Sequence, residues 1–205
     1  MRRPPYKLLS VLLVYPDVGV FGAKAELEAA ITELPLTAER SALERFWSWF
    51  SATPARQVQA EYVETFDLQK RSSLYMTFFT EGDTRKRGQA LLRLKRLYRG
   101  AGLELESAEL PDYLPVMLEF AELAPGDAGR RLLAEHRPAL ELLRLHLTEL
   151  KSPYRHLIEG VCAGLPRLAP ADMDFVRRLL TQGPPAEQVG LQPFAPPEVM
   201  PVDAR

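Results

Sequence analysis

Apolar residues recur along this chain every three or four positions rather than every two. That is the period of a helix face, and alternating Val/Ile/Thr runs that would support strands are nearly absent. The first pattern covers Tyr6–Tyr15 and stops at Pro16, and a second covers Ala23–Leu34 and stops at Pro35. In "TAERSALERFWSWFSA", Leu43, Phe46, Trp47 and Phe50 share one face, with Thr37 placed to cap the helix start. Pro54 suits the opening of a fourth helix, whose stripe is Val58, Tyr62, Thr65 and Phe66. "SSLYMTFFTEG" reads as a short helix ended by Gly82. Asp83 or Thr84 then caps a helix running to Gly100, with Ala90, Leu91, Leu94, Leu97 and Tyr98 on its inner face.

"LPDYLPVMLEFAEL" holds two prolines, but with Asp112 as N-cap, Pro115 falls in the first turn, where its missing N–H costs nothing. Leu114, Val116, Met117, Leu118 and Phe120 leave that helix apolar on almost every side, as in the middle of a bundle. A long pattern over Gly129–Leu150, with a bend at Pro138, and two further helices complete the set. The reading is an all-α, single-domain bundle of about nine helices over residues 1–182, followed by a proline-rich, extended tail over 183–205.

Composition narrows the function. The chain has 205 residues and is 46% apolar, enough for a core without metal or disulfide support. Its formal net charge is −1, whereas dedicated nucleic-acid-binding domains are strongly basic. The single cysteine, Cys162, lies in an apolar run and reads as a small core residue in a reducing compartment. The early arginines and apolar run raise the question of a secretory leader. The run is short, however, and its spacing fits an ordinary first helix. No stretch is long and apolar enough to span a bilayer.

Catalytic chemistry finds no support. There is no phosphate-cradling loop, and Gly100-Ala101-Gly102 follows a helix rather than a strand. His136, His146 and His156 lack companions at ligand spacing and read as surface or capping residues. Three segments are unusual. Arg85–Arg99 contains seven basic residues and no acid, which is either a solvated face or a surface for an acidic partner. Arg87 falls toward the apolar side and needs a mate, for which Asp83 is placed. "EYVETFD" and "LPDYLP" each put aromatics beside an aspartate, which core packing and capping would also explain.

The run "YVETFDLQKRSSLYMTFFTEGDTRKRGQALLRLKRLYRGAGLELESAELPDYLPVMLEFA", with "SPYRHLIEGVC" and "QPFAPPE", resembles the nitrate reductase assembly chaperones. These are the delta subunits, or NarJ-type proteins, of the wider TorD-like group. The resemblance implies a cytoplasmic, non-catalytic helical chaperone with no prosthetic group, monomeric or dimeric and not membrane-inserted. It implies binding to the N-terminal segment of the nitrate reductase catalytic (alpha) subunit while molybdopterin guanine dinucleotide enters that apoenzyme. One position departs: Tyr113 stands where the family usually has histidine, which removes a charge switch near neutral pH.

The recognition mode expected from these residues is a client helix laid into a groove. Tyr62, Phe66, Tyr75, Phe79 and Tyr113 would supply aromatic contact, and Asp67 and Asp112 would meet basic client residues. Arg85, Lys86, Arg87, Arg93 and Arg96 would meet client acids or steer an anionic cofactor. The competing expectation is a helical regulator that binds nucleic acid through residues 85–99, with strong salt dependence.

Overall fold

The computed structural model describes residues 4–105, 109–183 and 185. Among them are twelve α-helices, ten of seven residues or more, and no strand. The expected all-α bundle forms. The helix count exceeds the sequence reading for two reasons. A five-residue helix, α2 (Val18–Gly22), precedes α3 (Lys24–Glu33), with the Asp17 side chain capping its start. The long pattern after Gly129 also divides at His136 into α9 (Ala128–Glu135) and α10 (Arg137–Glu149), with Pro138 in the first turn of α10. The tail expected from residue 183 lies outside the described residues apart from Gly183 and Pro185.

The core is built around α8 (Leu114–Leu123), whose Leu114, Met117 and Leu118 are completely buried. It packs against α1 (Tyr6–Leu13) and α9. Ser10 of α1 donates to the Pro115 carbonyl at 2.9 Å, and Lys7 pairs with Glu119 at the outer edge of the same contact. A side chain at Gly129 would overlap the Ala121 backbone, so α8 and α9 cross closely only because that position is glycine. Each Leu buried in such a core contributes about 1.5–3 kcal/mol.

A second layer pairs α4 (Ala38–Ala52) with α11 (Arg155–Ala163), and α11 also touches α1 and α10. Thr37 caps α4 as its sequence implies, accepting from the Arg40 amide at 3.3 Å. Leu43, Phe46 and Phe50 are buried to 1% exposure or less, which makes the tryptophan-rich turn a core stripe. The fold is completed by α5 (Ala55–Tyr62), α6 (Met76–Glu81), α7 (Arg85–Gly100) and α12 (Pro170–Gln182). Between α5 and α6 lie a π-turn (Val63–Asp67) and a 3₁₀ turn (Lys70–Ser72). No helix among the described residues is long and apolar enough to cross a membrane.

Candidate functional site

An open cleft of about 590 Å³ lies between the end of α5 and the start of α6. Its first wall is Tyr62, Phe66 and Asp67. These residues stand where α5 widens into the π-turn, marked by the Leu68 amide bonding five residues back to the Val63 carbonyl at 3.0 Å. Turns of this kind are rare and concentrate at functional sites. Glu61 fixes the turn from behind by accepting from Thr65 at 3.1 Å and from Ser152 at 2.8 Å. Both hydroxyl residues are buried.

The aromatic rings of this wall continue into the core. Tyr62 and Phe66 lie 4.9 Å apart, and Phe66 meets Tyr154 edge-on at 5.0 Å. Tyr154 is fully buried and touches Phe46 at 5.2 Å. Tyr15 stands against Tyr62 at 5.5 Å and closes one end of the cleft. Phe66 is half-buried and Asp67 is exposed, so the wall presents a ring and a charge to a partner.

The second wall is made by pairing two distant segments. The Met76 amide donates to the Asp112 carbonyl at 2.9 Å, and the Leu114 amide donates to the Leu74 carbonyl at 2.8 Å. Together they form an isolated antiparallel bridge between Tyr75 and Tyr113, whose rings stand 5.3 Å apart. Tyr113 reaches across to the opposite wall, where its hydroxyl meets that of Tyr62 at 3.3 Å. The Tyr62 hydroxyl in turn donates to the Leu13 carbonyl. Burial raises the pKa of both phenols, more strongly that of Tyr62, and both are neutral at ordinary pH. Tyr75 donates to Glu109 at 3.1 Å; burial first and that bond second push its pKa up to about 12.

Asp112 corrects two expectations. It does not cap α8, whose N-cap position is Tyr113, and it does not line the cleft. Its side chain is fully buried, and Oδ2 accepts from the Thr77 amide at 3.2 Å and the Thr77 hydroxyl at 2.5 Å. It therefore caps α6 from a distant segment, satisfying an amide of the first turn that has no partner within the helix. Arg87 is the inward-turned base anticipated from its position. It lies 3.7 Å from Asp112 and 3.9 Å from Asp83, and its guanidinium sits 5.7 Å from the Tyr75 ring centre. Tyr98 of α7 completes the brace by donating to the Pro111 carbonyl at 2.6 Å.

Five of the seven aromatic and acidic residues singled out in the sequence thus meet at the cleft: Tyr62, Phe66, Asp67, Tyr75 and Tyr113. Phe79 is buried and faces a neighbouring cavity instead. Arg85, Lys86, Arg93 and Arg96 lie on the exposed side of α7 and do not line the cleft. The acids actually at its edge are Asp67, Asp83 and Glu109, against Lys70 as the one lining cation among the described residues. Sequence reasoning missed Tyr15, Lys70, Phe78 and Glu109. Tyr15 carried a signal, being a large aromatic at a helix end just before Pro16.

A family model described as nitrate reductase delta subunit matches residues 23–158, which include every cleft-lining residue except Tyr15. The chain belongs to the nitrate reductase delta subunit family. It is 34% identical over 164 residues to the probable nitrate reductase molybdenum cofactor assembly chaperone NarJ of Bacillus subtilis, a match covering 80% of this chain and 89% of that protein. It is 34% identical over 155 residues to the nitrate reductase molybdenum cofactor assembly chaperone NarJ of Escherichia coli, covering 74% of this chain and 65% of that one. Nitrate reductase-like protein NarX of Mycobacterium tuberculosis is 39% identical over 157 residues, 77% of this chain. The match spans only 24% of that longer relative. Within this delta-subunit chain the cleft falls in the matched segment, and α12 lies beyond it.

Proposed function

We propose that this protein is a NarJ-type chaperone for nitrate reductase. In this reading it acts in the cytoplasm and binds the N-terminal segment of the catalytic subunit. It holds that subunit while the molybdenum cofactor, molybdopterin guanine dinucleotide, is inserted, and performs no catalysis itself. Family membership supports nitrate reductase as the class of client. The observation that carries the mode of binding is the aromatic cleft with an acidic edge, open to solvent between the π-turn and the Tyr75–Tyr113 bridge.

The chemistry suits an amphipathic helix that is apolar on one side and basic on its flank. Tyrosine and phenylalanine rings offer large contact area at small entropic cost. Asp67, Asp83 and Glu109 outnumber Lys70 in the lining, so the local field favours cations. A segment that folds on binding loses about 2–5 kcal/mol to ordering. That keeps the complex reversible, as a chaperone requires. Cleft and client are preorganised unequally: the protein wall is rigid to the core through Tyr154, and the peptide orders upon it.

The test is capture of the client from the source cytosol with the intact chain as bait, followed by mass spectrometry. The nitrate reductase catalytic subunit should be recovered, and Phe66→Ala with Tyr75→Ala should abolish its recovery. Equal recovery by the double variant would remove the cleft from the account.

A further inference from the structure

Next to the peptide cleft, and sharing Lys70 and Phe78 with it, lies a second cavity of about 380 Å³. Phe78 and Phe79 of α6, Leu142 of α10 and Leu179 of α12 form its apolar walls. His146 of α10 also lines it. This histidine is only 6% exposed, and neither ring nitrogen has a hydrogen-bond partner among the described residues. The nearest carboxylate, Glu149, is 3.7 Å from Nδ1, beyond hydrogen-bonding distance. Two nitrogens that must donate and accept are thus buried at an apolar cavity, with Lys70 and Arg71 exposed at its edge. Buried polar groups are rarely left in this condition, so the position calls for an explanation.

The course of the chain points to the occupant. The last turn of α12 and Gly183 form one side of the cavity, and Gly183 turns outward with φ +76°. Two residues later the Pro185 carbonyl lies against Gly82 at the end of α6, where any side chain would collide with it. The chain therefore leaves α12 past the C-terminal end of α6. Residues 186–205 lie outside the described part of the structure, and they contain Glu187, Glu198 and Asp203 against Arg205, three acids to one base. They also carry Val189, Leu191 and Phe194.

We infer that the His146 cavity is the docking site of this chain's own segment 186–205, with Glu187 meeting His146, Lys70 or Arg71 and a following apolar side chain filling the pocket. Reach allows it: Pro185 lies at Gly82, three residues along the chain from Phe79 of the cavity wall, and Glu187 is two residues further on, or about 7 Å of extended chain. Charge decides between the two openings. An acidic segment is repelled by the cleft of Asp67, Asp83 and Glu109 and attracted by the cavity of Lys70 and Arg71. The client and the segment then occupy neighbouring sites divided by Lys70 and Phe78. Filling one acts on the wall of the other.

The test is histidine NMR on the full chain and on a chain stopped after Pro185, with His146 assigned by His146→Gln. Removal of the segment should move the His146 ring signals and leave those of His136 and His156 in place. A synthetic peptide of residues 186–205 added to the shortened chain should restore them, and Glu187→Gln in that peptide should weaken restoration about tenfold. The tether supplies an effective concentration on the order of millimolar, so the free peptide needs only submillimolar affinity. Identical His146 signals with and without the segment, or no response to the peptide, would overturn the inference. So would a client peptide that reproduces in the shortened chain the same His146 signals as the segment, which would assign the cavity to the client. None of these readouts uses Tyr75 or Phe66, so failure here is separate from failure of the peptide cleft.

Discussion

Asp112 holds Thr77 across 35 positions of sequence, with one carboxylate oxygen bound to both the amide and the hydroxyl of that threonine. This contact joins the loop before α8 to the start of α6, and so fixes the Tyr75–Tyr113 bridge that forms one wall of the cleft. Arg87 adds charge from the side, and Tyr98 holds the neighbouring Pro111 carbonyl. The aspartate thus shapes the wall of the cleft without lining it.

Asp112→Ala is expected to destabilise the fold by roughly 3 kcal/mol, because it strands a buried amide and a half-buried guanidinium. Thr77→Val should cost less, about 1 kcal/mol, since the amide bond survives. Chemical denaturation at neutral pH measures both. Equal stability of Asp112→Ala and wild type would mean that the contact does not hold the wall.

Tyr113→His tests the departure from the family pattern. The phenol's pKa is raised by burial, so the wild-type residue carries no charge across the physiological range. An imidazole in its place would stand near Glu109 and Asp67, both of which act on this position, and both favour its cation. Peptide affinity of the variant should therefore change between about pH 6 and 8, where histidine titrates. Wild type should show no such change from this residue. Calorimetry across that range is the measurement.

His146 sets a pH dependence of stability. Burial, and secondarily the Arg71 guanidinium, lower its pKa below 6.5, with Glu149 pulling weakly the other way. The unfolded chain thus takes up this proton at higher pH than the folded one. The contribution is complete above the unfolded value of 6.5 and is lost as pH falls through the lower folded value. In the chain stopped after Pro185, which lacks Glu187, His146→Leu should flatten the stability curve just below pH 6.5. Glu141 contributes in a separate window. Burial alone would raise its pKa, but hydrogen bonds from Arg144 and Arg137 outweigh it and hold it below 4.5, so its contribution disappears in stronger acid. Thermal melts of the two chains from pH 7 to 3 distinguish the two windows.

Much of the fold was legible because it depends on local rules. The Leu43–Phe50 stripe, the Thr37 cap and the Gly82 stop are each decided within one or two turns of chain. Asp112 was misread for the same reason: a capping rule sees only the next helix, whereas the residue's partner is 35 positions away. Tyr62, Phe66 and Asp67 were legible as neighbours, but the π-turn at Val63–Asp67 that displays them breaks the 3.6-residue period and was not. His146 was expected at the surface, but α10 turns it inward toward α6 and α12, and its burial depends on helices from opposite ends of the chain.

The basic side of α7 gives a prediction that separates a chaperone from a nucleic-acid binder. Arg93 and Arg96 are exposed and lie away from the cleft. Arg93→Glu with Arg96→Glu should change stability by no more than about 0.5 kcal/mol per site and leave peptide affinity intact apart from a small effect of net charge. Gel shifts with duplex DNA at two salt concentrations should show no tight complex. A complex that weakens steeply with salt would favour the nucleic-acid reading.

The most direct measurement is calorimetric titration of a peptide copying the first ~15 residues of the nitrate reductase catalytic subunit, about four helical turns, into wild type, Tyr75→Ala and Asp67→Asn. Binding to wild type should weaken at least tenfold for Tyr75→Ala and several-fold for Asp67→Asn, with folding of both variants unchanged by circular dichroism. Equal affinity in all three proteins would contradict the claim that the cleft between the π-turn and the Tyr75–Tyr113 bridge receives the client.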